Sequence, residues 1–237
     1  MKRCPSCQRT YPDDLSYCVE DASALDETDV RTLADLAAGP RLPVVRVLRL
    51  ALSLCEAYDV ARTRGRVPPA VTPLDVELGA DDRALITFPQ DDAKPVADAR
   101  ELSPTAPYAA PETFPGGGAL TAATSVYHIA ALVFELLAGA APFVASTTAA
   151  VAVRKLLEEP PSARALRGDV PEGLDGLLSR ALARDPAARP STPAEFAEAL
   201  RALPKDDVRP TPSPARVSMP AAPTPAASAI APPMMGA

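Results

Sequence analysis

The run Ser125-Val126-Tyr127-His128-Ile129-Ala130-Ala131-Leu132-Val133-Phe134-Glu135-Leu136-Leu137-Ala138 constrains this chain more than any other stretch. It is apolar at nearly every position, so a helix built from it has no polar face for water and must be enclosed by other elements. The segments around it are amphipathic, and it therefore reads as a buried core helix, starting near Thr121 or Thr124, rather than a membrane span. What encloses it is expected to be helical too. The chain is 47% hydrophobic, enough for a core, but only 4% aromatic with no Trp. Ala, Leu and Val must build that core, and such residues favour packed helices over sheets.

Periodicity supplies the enclosing elements. A short helix is expected over Val30 to Ala38, stopped by Gly39-Pro40. A long one is expected from Val44 to Arg64, with Val44, Val47, Leu48, Ala51, Cys55 and Tyr58 along one face and Gly65 at its end. Between Val67 and Phe88 the pattern turns short and β-like, with Gly79-Ala80-Asp81-Asp82 between Val76-Glu77-Leu78 and Ala84-Leu85-Ile86. Residues 89–104 read as loop. A helix is expected over Thr148 to Leu157, ending before Pro160-Pro161, and Leu174, Leu177, Leu178, Ala181 and Leu182 mark a further helical stripe. For the last helix Thr192 is the N-cap, Pro193 the first helical residue and Glu195 the partner in a capping box, with Phe196, Leu200 and Leu203 facing inward. The predicted fold is mainly α with a small β-hairpin region.

Composition divides the 237 residues into three regions: 1–27, with three of the four cysteines, 28–203, with the helical periodicity, and 204–237, with nine prolines and no aromatic residue. The last cannot bury a core and is expected to be a disordered Pro/Ala-rich tail. The net charge of −6 argues against nucleic-acid or anionic-membrane binding. The basic start Met1-Lys2-Arg3 is followed by no apolar stretch, so no secretory signal is read there and a cytoplasmic address is expected. In that compartment cysteines are more often metal ligands than disulfides.

Cys4-Pro5-Ser6-Cys7 and Cys18-Val19-Glu20-Asp21 have ligand spacing for a tetrahedral structural zinc site, with Cys4, Cys7, Cys18 and Asp21 as ligands. The alternative is that Asp21 is a solvated acid and the site holds three cysteines only. Residues 4 to 25 resemble the zinc-ribbon-like half-module that precedes kinase-like domains in some bacterial proteins. Cys55, on an apolar helix face, reads as a buried small hydrophobe.

Thr105-Ala106-Pro107-Tyr108-Ala109-Ala110-Pro111-Glu112 resembles the end of a protein kinase activation segment, which closes on Ala-Pro-Glu. The run from Ser125 to Phe143, with its Gly139-Ala140-Ala141-Pro142-Phe143 exit, is similar to the central large-lobe helix of bacterial serine/threonine protein kinases. The resemblance covers Thr32 to Leu203 and implies a large-lobe-like fold. On that pattern Gly65-Arg66-Val67-Pro68-Pro69-Ala70 occupies the catalytic loop, with Ala70 in place of the catalytic Asp. Thr72 replaces a phosphate-contacting Lys and Asp75 a magnesium-binding Asn. Leu85-Ile86-Thr87-Phe88-Pro89 aligns with Asp-Phe-Gly, which puts Thr87 at the second magnesium position. Ser125 stands where an Asp anchors the catalytic loop. The first 30 or so residues are expected to leave no room for a nucleotide-clamping small lobe. Glu112 and Arg189 match a buried structural ion pair of the family. His128, the sole histidine, reads as a structural residue.

The resulting expectation is a non-catalytic kinase-like (pseudokinase) protein without ATP or magnesium. It would act as a scaffold or regulator on protein partners such as a kinase or its substrate, without nucleic acid or membrane. Two alternatives stand beside it. An atypical serine/threonine kinase would need an unrecognised nucleotide site. A zinc-ribbon nucleic-acid binder would need a basic face, whereas residues 1–25 carry three basic and four acidic side chains.

Overall fold

The protein is seen in a computed structural model that describes residues 2–3, 10–11, 20, 31–63, 70–79, 81–87, 103–114 and 119–204. The expected tail, most of residues 89–104, Gly65 and the four candidate zinc ligands lie outside the described residues. Among those described, the fold is mainly helical with small antiparallel sheets.

Near the amino terminus β1 (Lys2–Arg3) pairs antiparallel with β2 (Thr10–Tyr11). The next strand, β3 (Arg31–Thr32), runs directly into α1 (Leu33–Ala38). Two of the residues expected to be helical are therefore strand. The cause is local: Asp35 Oδ2 accepts from the Thr32 N–H at 2.7 Å, and the Asp35 N–H donates to Thr32 Oγ1 at 3.3 Å. This capping box fixes Thr32 in an extended conformation and starts the helix at Leu33.

Helix α2 (Val44–Thr63) buries Val44, Val47, Leu50, Ala51, Leu54, Cys55, Tyr58 and Ala61. Leu50 and Leu54 belong to the buried stripe, while Leu48 only flanks it. Burial pushes the Cys55 thiol up to about 12, so it is an inert packing group at neutral pH.

Strands β4 (Val76–Leu78) and β5 (Ala84–Ile86) form the expected hairpin, in register Val76↔Ile86, Glu77↔Leu85 and Leu78↔Ala84. Strand β3 adds to the β4 edge and makes a three-stranded sheet. The hairpin turn places Asp82 at φ 62°, in the left-handed region that Asp tolerates better than most residues. Arg46 on α2 grips that turn with two hydrogen bonds to Asp82, at 2.8 and 2.7 Å, and Ser53 Oγ accepts from the Ala84 N–H at 2.8 Å. The hairpin is thereby docked on α2.

The apolar run forms α3 (Ala122–Ala138), buried at every position from Ala123 to Phe134. Helices α1, α2, α5 (Ala163–Leu166), α6 (Glu172–Ala181) and α7 (Pro193–Arg201) pack around it. Gly139 stops α3 at φ 86°, a conformation open to glycine, and its N–H donates to the Glu135 carbonyl at 2.7 Å. Helix α4 (Thr148–Leu157) matches its expected span. The start of α7 differs in one respect from the expected capping box. Thr192 Oγ1 accepts from the Glu195 N–H, but the Glu195 carboxylate turns to the N–H and hydroxyl of Ser191, one residue earlier. Phe196 and Leu200 are buried and Leu203 is half-buried.

Candidate functional site

Two constructions bear on chemistry. The first is the segment that follows α2. Ala70 is buried. Thr72 donates both its N–H and its hydroxyl to Asp75 Oδ2, each at 2.7 Å, so the carboxylate is folded back onto its own turn. Thr87 donates its N–H (2.8 Å) and its hydroxyl (3.0 Å) to the Asp75 carbonyl. The chain thus brings Asp75 and Thr87 together through backbone, with one carboxylate between them.

Within reach of the Asp75 charge lies Tyr58, with His128 of α3 beside it. Ser125 Oγ and Tyr58 Oη are buried with no hydrogen-bond partner among the described residues. His128 is fully buried, its ring centroid 6.3 Å from that of Tyr58. Burial, with the Asp75 charge adding to it, pushes the Tyr58 hydroxyl well above its usual range. The phenol is therefore a neutral packing group.

The second construction is the segment from Ser103 to Phe114, which includes a turn of 3₁₀ helix at Pro111–Thr113. Its Glu112 receives two hydrogen bonds from Arg189, at 2.8 and 2.9 Å, and a third from Thr124 Oγ1 at 2.8 Å. Arg189 donates its other three hydrogens to the carbonyls of Ala183 (2.7 Å), Ala123 (3.2 Å) and Arg184 (3.0 Å). All five guanidinium N–H groups are thus satisfied. Burial alone would raise the Glu112 carboxyl, but the Arg189 hydrogen bonds and charge outweigh it and hold the group below its usual range.

Lys155 is the residue that sequence reasoning missed. A lysine in the last turn of an amphipathic helix reads as solvated, yet this one is only 2% exposed. Its Nζ donates to the carbonyls of Ala106 and Pro107, both at 2.9 Å, and to that of Ala109. The rings of Tyr127, Phe114 and Phe143 surround it at 5.1, 5.8 and 6.0 Å. Burial, helped by the Arg189 charge, lowers the amine to about 7, while Glu112 opposes that shift. A signal was present in the sequence: Lys155 follows Val151 by four residues, and Val151 is the other fully inward position of α4. Alongside it, the Tyr108 hydroxyl meets the Glu135 carboxylate of α3, and burial raises the titration range of both groups.

No family model matches the chain. Over 180 residues it is 26% identical to the serine/threonine-protein kinase PknB of Mycolicibacterium smegmatis, a match covering 73% of this chain and 28% of that protein. Over 190 residues it is 28% identical to the serine/threonine-protein kinase PknJ of Mycobacterium tuberculosis, covering 76% of this chain and 32% of the relative. The chain has a kinase-like relationship. It spans about a third or less of the length of these relatives. The helical body around α3 and the small sheet are compatible with the large-lobe region of such a kinase.

The remaining candidates are Cys4, Cys7, Cys18 and Asp21, which lie outside the described residues. Strands β1 and β2 bracket Cys4 and Cys7 in sequence. Among the described residues, no group of three or more His, Cys, Asp or Glu side chains is placed to hold a metal ion. Nor is any described helix long and apolar enough to cross a membrane.

Proposed function

We propose that this chain is a kinase-like protein that works by binding other proteins rather than by transferring phosphate. The observation that carries this reading is the chemistry at three positions of the kinase pattern: Ala70, Asp75 and Thr87. A methyl group accepts no proton from a substrate hydroxyl. Thr87 brings no anionic oxygen, and its hydroxyl is committed to the Asp75 carbonyl. The Asp75 carboxylate is engaged by Thr72. Phosphoryl transfer depends on positioning and charge stabilisation, which this set supplies poorly. The Glu112–Arg189 pair, in contrast, serves the framework and is intact. On this reading ATP and magnesium are not cofactors, and the protein is a cytoplasmic scaffold or regulator of a kinase or a kinase substrate. Cys4, Cys7, Cys18 and Asp21 hold a structural zinc ion in an amino-terminal module.

The second reading, an atypical serine/threonine kinase, is favoured by the names of the relatives. One experiment separates the two. A ligand at about 100 times its Kd stabilises a protein by about 2.7 kcal/mol, or about 5–10 °C in Tm for a domain of this size. The binding reading expects no Tm shift with magnesium and ATP, and no labelled phosphate transferred by the pure protein. A shift of that size, with transfer that disappears in Asp75→Ala, would replace it with the kinase reading. Affinity capture with the whole chain, against one lacking residues 1–27, then identifies the partner and the part of the chain that holds it.

A further inference from the structure

The segment from Ser103 to Ala109 is clamped along the whole length of α4. At the first turn of that helix, Thr148 Oγ1 accepts from the Ser103 N–H at 2.8 Å. At the last turn, the Lys155 ammonium meets three carbonyl oxygens of the same segment. An ammonium has three donors, and here three acceptors converge on it from residues 46 to 49 positions away in sequence. The aromatic wall of Tyr127, Phe114 and Phe143 closes the remaining space. Within the segment, the amides of Ala106 and Tyr108 donate to Ser103 and Thr105 carbonyls at 3.0 Å, and that of Ala109 to the Thr105 carbonyl at 2.9 Å. The Thr105 hydroxyl is itself engaged with Ser103 Oγ at 2.9 Å.

The anchors at the two ends are the Thr148 hydroxyl and the Lys155 ammonium, both carried by α4 itself. Opening the segment would leave the buried Lys155 ammonium without its three acceptors, a costly state. We propose that α4, acting through Lys155, is a built-in lock that holds residues 103–109 in a single conformation with no phosphate group, ligand or partner required to order them. Segments of this kind are often ordered by phosphorylation through newly made arginine contacts. Here a buried lysine does the same work for as long as its amine carries the third proton. The lock stands whether or not the chain transfers phosphate, so its test is separate from the test of function.

Hydrogen exchange on the full-length protein, dephosphorylated and checked by intact mass, reads the lock directly. In the wild type the amides of Ala106, Tyr108 and Ala109 are expected to exchange far more slowly than those of an unstructured peptide. Lys155→Met is expected to speed them by about tenfold or more, with the amides of α2 and α3 unchanged. Lys155→Arg, whose planar fork fits three convergent oxygens badly, is expected to fall between the two. Unstructured exchange rates in the dephosphorylated wild type would overturn the proposal, as would unaltered rates in Lys155→Met. If Lys155→Met does not fold, the wild-type measurement decides, with Thr148→Val as a second variant that removes the acceptor of the Ser103 N–H.

Discussion

Arg189 donates two hydrogens to Glu112 and three to backbone carbonyls, all in the protein interior. Arg189→Met would leave a buried carboxylate without its counter-charge and is expected to cost about 3–5 kcal/mol, read from urea unfolding. Adding Glu112→Gln should recover part of that loss, because the stranded charge is then gone. The same pair predicts an acid sensitivity. The Glu112 carboxyl titrates below its ordinary value of 4.5 in the folded protein. Its contribution is therefore complete above that value and fades as pH falls through the lower folded one. Urea unfolding across this acid range should show the fading in the wild type and a flatter profile in Glu112→Gln. Both residues were legible in the sequence because Ala110-Pro111-Glu112 and Asp185-Pro186-Ala187-Ala188-Arg189-Pro190 stand in a recognisable pattern. For Lys155 only its inward position could be read, from its spacing to Val151; its role depends on three backbone carbonyls, and backbone oxygens carry no sequence signal.

At the scale of elements, what could be read in advance was what periodicity and capping encode. Helices α2 and α4 and the hairpin β4–β5 follow their apolar spacing almost to the residue. Strand β3 escaped because it is two residues long and its partner, Val76–Leu78, lies far along the chain. Nothing local distinguishes it from a helix start except Thr32, which ends the strand and caps α1 at once. Thr32→Ala removes the oxygen that receives the Asp35 N–H and should cost about 1 kcal/mol. The measurable outcome is a lower urea midpoint with an unchanged m-value. A Thr32→Ser variant, which keeps the hydroxyl, should restore most of the midpoint.

For the molecule as a whole, a single all-round apolar helix dictated the architecture: α3 is enclosed by α1, α2, α5, α6 and α7. The zinc reading of residues 1–27 also belongs to this scale, since a short module with little core draws its folding free energy from the metal. The purified full chain is expected to carry about one zinc ion, measured by elemental analysis, and Cys18→Ser is expected to lose it. Metal-free protein with all four candidate ligands intact would dismiss the site.

The Glu112–Arg189 contact joins residues 77 positions apart. During synthesis Glu112 is made well before its arginine exists, so the framework cannot close until Arg189 and helix α7 behind it have been added. A ribosome stalled just short of Arg189 would hold a nascent chain that lacks both its keystone arginine and helix α7, so α3 is still incompletely wrapped. Such a chain should be the species that chaperones and proteases find first.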